Sequence, residues 1–382
     1  MNAKLKIVAD ENIPQVYDAF KEYGNITLMP GREITNKHLK DIDVLLVRSV
    51  TKVNEQLLTK TNVKCVLTAT TGTDHIDLNY INKQGIFFQS ADGSNTISVV
   101  EYTVSAIIDI TINKIKKPVN EISVAVIGYG KIGSRVYDIL STIGYKVIKI
   151  DPPLQRKNLD ITFSNFNDAF SCNILTFHVP LDHNSQDATY HYLNEFNLPK
   201  LTKNAVIINT SRGEVIDNQA LSKFLNDNKS ITAILDVWEN EPNIDTELMN
   251  KCYIATPHIA GYSFDAKIKG TEMIYNHFCD FFSFEKKWIP TYPELLHNRI
   301  LLINNGNYDK LQQLLELFYK IYFLREDHNR LLRFNDNIGK HFDYLRKNYI
   351  NRREFHNYTV FLEQKDDFFI DVLGKLNFKV II

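Results

Sequence analysis

Cysteine is scarce in this sequence. The four present, Cys65, Cys172, Cys252 and Cys279, are scattered, and no two stand at a metal-ligand spacing. A disulfide framework and a cysteine-rich metal knuckle are therefore excluded, and reduced, mostly buried thiols are expected. Charge imbalance is also lacking, because 44 Lys and Arg against 45 Asp and Glu leave a net charge of -1. That removes any global electrostatic case for nucleic acid or for an anionic membrane. No apolar run approaches the roughly 20 residues that a membrane span needs. The opening residues up to Asp10 read as a strand, not as the apolar core of a leader, so the expected place of work is the cytoplasm. Internal repeats and low-complexity tracts are missing too.

What is present is the balance of a globular protein with a sizeable core. Hydrophobic residues make up 44% and charged residues 23% of 382 positions, a length that favours two or three domains. From Lys4 to Ala91, apolar runs at Lys4–Asp10, Val44–Ser49, Val63–Thr70 and Ile86–Ala91 alternate with helix-like stretches. A second cycle starts near Glu121, with strands expected at Ser123–Ile127, Lys146–Asp151, Asn173–His178, Ala205–Asn209, Ile231–Val237 and Tyr253–Thr256. Near-continuous apolar strands alternating with helices indicate parallel sheets covered on both faces. Between the cycles, Ser98–Ile115 reads as one uninterrupted helix. After Pro290 the pattern changes to a small α+β region, with Leu311, Leu314, Leu315 and Phe318 on one helical face. The expected fold is thus α/β, with two doubly wound parallel-sheet, Rossmann-like domains and a small C-terminal α+β domain. The expected boundaries are 1–97 (rejoined by about 262–289) for substrate, 98–261 for dinucleotide, and 290–382 for dimerisation.

The most informative local motif is Gly128-Tyr129-Gly130-Lys131-Ile132-Gly133. It follows an apolar strand and opens a helical pattern, the setting in which such a loop binds a pyrophosphate. Gly128 permits the tight turn, Gly130 lets the backbone approach the phosphates, and Gly133 lets helix and strand pack closely. The N–H groups of the first helical turn, from Lys131 and Ile132 onward, face the phosphate charge. Asp151 stands about 20 residues beyond the motif, where a carboxylate accepts bonds from the adenosine ribose and repels the extra phosphate of NADP. NAD is the expected cofactor.

Three later segments end strands of the same sheet: Asn209–Gly213, Asp236–Pro242 and Thr256–Gly261. Together they hold what oxidation of a small 2-hydroxy acid needs. Arg212 offers a planar fork for a carboxylate. His258 is of the right type to take a hydroxyl proton. Glu241 is of the right type to orient that histidine and to stabilise its charged form. Singly, each residue has an ordinary structural explanation; at successive strand ends after a dinucleotide loop, the three converge.

In order and spacing, these segments resemble the D-isomer-specific 2-hydroxyacid dehydrogenases across roughly residues 1–285. The resemblance implies Arg212, Glu241 and His258 as the catalytic three. It also implies NAD contacts at Asp151, Val179, Thr210, Arg212, Asp236 and Gly261. Asp10–Pro14, Val47–Glu55, Thr68–His75, His258–Ser263 and Leu345–Phe355 resemble one branch of that family, which oxidises 4-phosphoerythronate on the way to pyridoxal phosphate. For that branch the resemblance implies substrate contacts at Ser49, Thr70 and Tyr262, and a homodimer formed through the C-terminal region. A phosphorylated acid needs cations at two ends, and Arg48 is a candidate for the end that Arg212 does not serve. Arg346, Lys347, Arg352 and Arg353 form a basic cluster. It is read either as reaching the substrate phosphate with one or two side chains or as a solvated basic face. Two other functions stay open: another phosphorylated 2-hydroxyacid dehydrogenase, such as one for 3-phosphoglycerate, and an NAD-sensing corepressor-like binding protein.

Overall fold

The computed structural model describes residues 4–157, 160–303, 309–334 and 336–382. The first stretch runs β1 (Leu5–Asp10), α1 (Val16–Phe20), β2 (Gly24–Met29), β3 (Val44–Val47), α2 (Glu55–Leu58), β4 (Cys65–Thr68), α3 (Leu78–Gln84) and β5 (Phe87–Ser90). The middle runs α4 (Thr96–Ile110), β6 (Ser123–Ile127), α5 (Lys131–Ile143), β7 (Lys146–Ile150), α6 (Pro152–Lys157), α7 (Phe166–Ala169), β8 (Ile174–Phe177), β9 (Val206–Asn209), α8 (Asn218–Asp227), β10 (Thr232–Leu235), α9 (Thr246–Lys251) and β11 (Ile254–Ala255). The last stretch runs α10 (Phe264–Phe282), β12 (Arg299–Leu302), α11 (Lys310–Ile321), α12 (Leu324–Leu332), α13 (Ile338–Lys347), β13 (Thr359–Leu362), α14 (Asp367–Lys375) and β14 (Lys379–Ile381). No described helix is long and apolar enough to cross a membrane.

Two compact units result. The first comprises Met1–Asn95 and Ser263–Glu294. Its five strands are parallel, in the order β2-β1-β3-β4-β5. Every residue of β3 and β4 is buried, as expected when helices cover both faces. One face carries α1 and α10, where Phe20 meets Phe278 edge-on at 5.0 Å in a cluster with Ile274 and Tyr275. Gly270 lets α10 lie close against the end of β4, since a Cβ there would stand 2.7 Å from the Ala69 carbonyl oxygen.

The second unit comprises Thr96–Tyr262 and Leu295–Ile382. Its large sheet is parallel, in the order β11-β10-β9-β8-β6-β7. The chain crosses back from β7 to β8 on the other side of β6, and this reversal is where ligands of open α/β sheets bind. Helix α4 is buried along almost its whole length, including Glu101 and Asp109, and its predicted continuation to Ile115 is a π turn. It is covered by α5 on one side and by α11 and α12 on another. Asp109 is compensated there, since Arg325 donates to both of its oxygens and the Tyr253 hydroxyl adds a bond at 2.8 Å. The last stretch shares its core with the six-stranded sheet, through Leu314, Phe318, Phe355 and Val360. Its three strands are parallel, in the order β12-β13-β14.

Candidate active site

The glycine loop joins β6 to α5. Gly128 has φ +93, and a Cβ on it would stand 2.6 Å from the His178 carbonyl oxygen. A Cβ on Gly133 would stand 1.8 Å from the Gly128 oxygen, so only glycine lets α5 start this close to β6. Gly130 occupies the N-cap position without a capping side chain, and a Cβ there would meet nothing within 4 Å. The exposed Lys131 and half-buried Ile132 begin the helix behind it. An open backbone cradle at a helix N-terminus, at the reversal of strand order, is the setting that accepts a pyrophosphate.

Asp151 follows β7 and is bound to this loop. Its Oδ2 accepts from the Tyr129 N–H at 2.8 Å, and its Oδ1 accepts from the Leu154 N–H at 2.9 Å. Each oxygen keeps a second lone pair, so ribose hydroxyls can still be received. Val179 follows β8 and is half-buried. The preceding His178 was not singled out from the sequence. Its ring bonds Thr176 Oγ1 at 3.0 Å, and burial pushes its pKa down to about 3, leaving it neutral near pH 7. The glycine loop, Asp151 and the strand ends around them fit a dinucleotide.

At the end of β9, Asn209 folds the next turn. Its Oδ1 accepts from the Ser211 N–H at 3.0 Å and hydroxyl at 2.7 Å, and its Nδ2 donates to the Arg212 carbonyl at 2.8 Å. Thr210 is buried, with its hydroxyl 3.5 Å from that of Thr103. Arg212 is half-buried, and its Nη1 donates to the Ser211 carbonyl at 2.7 Å. Gly213 allows this turn to lie against the β10 loop, because a Cβ would stand 2.0 Å from the Trp238 carbonyl.

Three carboxylates follow β10, and the geometry separates their roles. Asp236 is 1% exposed and faces inward, accepting from the Thr256 hydroxyl (2.6 Å), the Ile259 N–H (2.7 Å) and the Ala260 N–H (2.9 Å). Burial raises its pKa. Glu239 is used by the His191 ring at 2.7 Å and the Asn218 N–H at 2.9 Å. Glu241 alone reaches His258, with its Oε2 2.7 Å from Nδ1, while its Oε1 accepts from the Trp238 N–H at 2.9 Å. Burial would raise the pKa of Glu241, but the opposing charge and bond of His258 and the charge of Arg346 hold it below the ordinary value. With Nδ1 committed to Glu241, Nε2 is the ring atom positioned for proton transfer.

Gly261 and Tyr262 close this loop, both half-buried. Arg346 of α13 donates from Nη2 to the Tyr262 hydroxyl at 2.6 Å and lies 5.1 Å above its ring. The basic cluster is thus largely internal: Arg352 and Arg353 are 4% and 7% exposed, whereas Lys347 is exposed. In the first unit, Ser49 is exposed after β3, and Thr70 is half-buried, its hydroxyl 2.8 Å from that of Thr68. Arg48 is ion-paired with the buried Asp10, Nε to Oδ2 at 2.9 Å.

Comparison with known proteins gives the family. Residues 111–260 match the family model described as D-isomer specific 2-hydroxyacid dehydrogenase, NAD binding domain, and residues 298–376 match a domain of unknown function (DUF3410). The chain is 40% identical to the erythronate-4-phosphate dehydrogenase of Tolumonas auensis, over 98% of this chain and 99% of that protein. It is 37% identical to the enzyme of the same name from Escherichia coli O81, over 99% of both. Among solved structures, the D-lactate dehydrogenase of Aquifex aeolicus complexed with NAD and lactic acid superposes with a TM-score of 0.62. That likeness has 24% identity, covers 73% of this chain and 96% of the other, and shows the fold alone. The chain belongs to the NAD-dependent D-isomer-specific 2-hydroxyacid dehydrogenases and, within them, to the erythronate-4-phosphate dehydrogenase branch.

Proposed function

We propose that this chain oxidises the 2-hydroxyl of 4-phospho-D-erythronate to 2-oxo-3-hydroxy-4-phosphobutanoate, in the formation of pyridoxal 5'-phosphate in the cytoplasm. The observation that carries the reading is the His258–Glu241 pair at 2.7 Å, in a chain whose relatives over nearly full length bear the name of that activity. When bound, NAD supplies the acceptor for the hydrogen and two electrons leaving C2. Neutral His258 receives the hydroxyl proton at Nε2, and ionised Glu241 stabilises the imidazolium that forms. Arg212 holds the substrate carboxylate with its guanidinium. Ser49, Thr70 and Tyr262 are the proposed substrate contacts. Gly128, Gly130, Lys131, Ile132, Gly133, Asp151, Val179, Thr210, Arg212, Asp236 and Gly261 are assigned to NAD. Since the Asp236 side chain is spent on the 256–260 turn, its part is to shape that wall.

The working form in this reading is a homodimer through the last stretch. Supporting it is a cross-strand row on the outer face of the small sheet, Leu301–Phe361–Ile381, in which Leu301 is 59% and Ile381 47% exposed. An exposed apolar row of this kind suits burial against a second copy. The activity is tested by incubating the purified protein with NAD and 4-phosphoerythronate, beside 3-phosphoglycerate, and following reduced-nicotinamide absorbance. Preferential turnover of 3-phosphoglycerate would replace the substrate assignment.

A further inference from the structure

The turn that carries His258 is not relaxed backbone. His258 has φ +55, a conformation uncommon for a residue with a side chain, so its neighbours must hold it there. Asp236 holds it from one side, through its main-chain oxygen to the His258 N–H at 2.7 Å and through its carboxylate to the next two amides. Groups from the last stretch of the chain hold it from the other. His328 Nδ1 accepts from the Ala255 N–H at 3.0 Å, and Arg352 Nη2 donates to the Ala260 carbonyl at 2.8 Å. The same carbonyl accepts from the Ser98 hydroxyl at 2.9 Å. Ala260 thus has its N–H and both carbonyl lone pairs engaged.

We propose that Arg352 is a positioning residue for the oxidation. By fixing the Ala260 carbonyl it holds the Pro257–Gly261 turn so that His258 Nε2 meets the substrate hydroxyl. The proposal rests on the reading of His258 as the proton acceptor. It gives the stretch whose family model is a domain of unknown function a part in the chemistry of the NAD-binding unit.

Hydrogen bonding is incomplete at this arginine, although the buried Glu101 and Asp327 favour its charge. Arg352 is 4% exposed, and its Nε and Nη1 have no hydrogen-bond partner among the described residues. A buried guanidinium with unmet donors is a poorer filler of a core than an apolar side chain of similar volume. Its carbon lies 4.3 Å above the Tyr322 ring, a contact that offsets part of the lost hydration. What an apolar side chain could not do is donate to Ala260 and Ser98, and Arg352 does both. These bonds also set it apart from the expectation that it faces the substrate phosphate, because the nitrogen that makes them is spent inside the protein. Misplacement of a catalytic group by about 1 Å can lower a rate on the order of 100-fold, so a brace on this turn acts on kcat.

The test uses the full-length enzyme with NAD and 4-phosphoerythronate, comparing Arg352→Met, Arg352→Lys and His258→Ala with the parent. Arg352→Met is expected to lower kcat roughly 10- to 100-fold, with KM for NAD changed less than about 3-fold and an unfolding midpoint within a few degrees. Arg352→Lys, which keeps a charged donor, is expected to restore kcat to within about 5-fold of the parent. Unchanged kcat in Arg352→Met, equal losses in the Met and Lys variants, or a kcat loss matched by lost NAD binding would overturn the proposal. Should Arg352→Met not fold, Ser98→Ala loosens the same carbonyl. A kcat loss of about 2- to 5-fold at constant KM then supports the brace, and no loss overturns it. A His258→Ala enzyme with near-normal kcat removes the underlying reading. An impaired His258→Ala beside a normal Arg352→Met removes this proposal alone.

Discussion

Glu241 Oε2 lies 2.7 Å from His258 Nδ1, although the two side chains stand on separate loops after β10 and β11. The short contact commits one ring nitrogen and directs the chemistry to the other. Because the pKa of Glu241 is held below the ordinary carboxylate value, it is ionised throughout the neutral range and is lost as a partner only when pH falls through that lowered pKa. Oxidation needs neutral His258, so kcat/KM for the hydroxy acid rises with pH along one ascending limb. In Glu241→Gln the imidazolium loses its counter-charge, and the limb is expected to move to lower pH. A pH–rate profile of both proteins checks this; an unmoved limb would mean that Glu241 does not act through His258.

Cofactor choice tests Asp151. The parent enzyme is expected to prefer NAD over NADP, because a 2′-phosphate would stand against a carboxylate. Asp151→Asn removes the repulsion but keeps only one acceptor oxygen, so it holds one of the Tyr129 and Leu154 amides and loses the other; the preference for NAD should shrink, with some loosening of this loop. The readout is kcat/KM for each cofactor. An equal ratio in the parent would take the role from Asp151.

Gly213 tests the seating of Arg212. A methyl group there would stand 2.0 Å from the Trp238 carbonyl, so Gly213→Ala must push the Arg212 turn away from the β10 loop. Overpacking of this kind costs about 1–3 kcal/mol. The expected kinetic result is a higher KM for the hydroxy acid, with NAD binding much less affected. If KM for the acid is unchanged in a folded Gly213→Ala protein, Arg212 does not hold the carboxylate from this turn.

The homodimer is tested on the small sheet. Leu301→Asp places a charge at the β12 end of the Leu301–Phe361–Ile381 row, on the face away from the shared core. Sedimentation should show a dimer for the parent and a monomer for the variant at the same concentration. A variant that stays dimeric puts the interface elsewhere.

Much of this was legible in the sequence, for physical reasons. Strands β3, β4, β8, β9 and β10 are buried throughout, so each shows as an uninterrupted apolar run. Strands β2 and β12 were not read. Both are edge strands, with Leu28 42% and Leu301 59% exposed, although the apolar Ile300–Leu302 run carried a strand signal. The glycine loop and the Glu241–His258 pair could be named because their chemistry is local to short segments. The basic cluster was misjudged as a possible solvated face because its partners are distant in the chain. Arg352 meets Ser98 and Ala260, and Arg346 meets Tyr262, across separations that leave no periodic trace. His178 was overlooked for a similar reason, since only its burial at the end of β8 makes its ring unusual.

The central claim is that His258 takes the proton as a phosphorylated 2-hydroxy acid is oxidised by NAD. The most direct measurement is turnover of 4-phosphoerythronate with NAD by the parent and by His258→Ala, with NAD binding to both followed by fluorescence. The account predicts turnover by the parent, a kcat lower by roughly 10²–10⁴-fold in His258→Ala, and similar NAD binding in the two. A His258→Ala enzyme with near-normal kcat, or a parent that binds NAD but leaves 4-phosphoerythronate unoxidised, would contradict it.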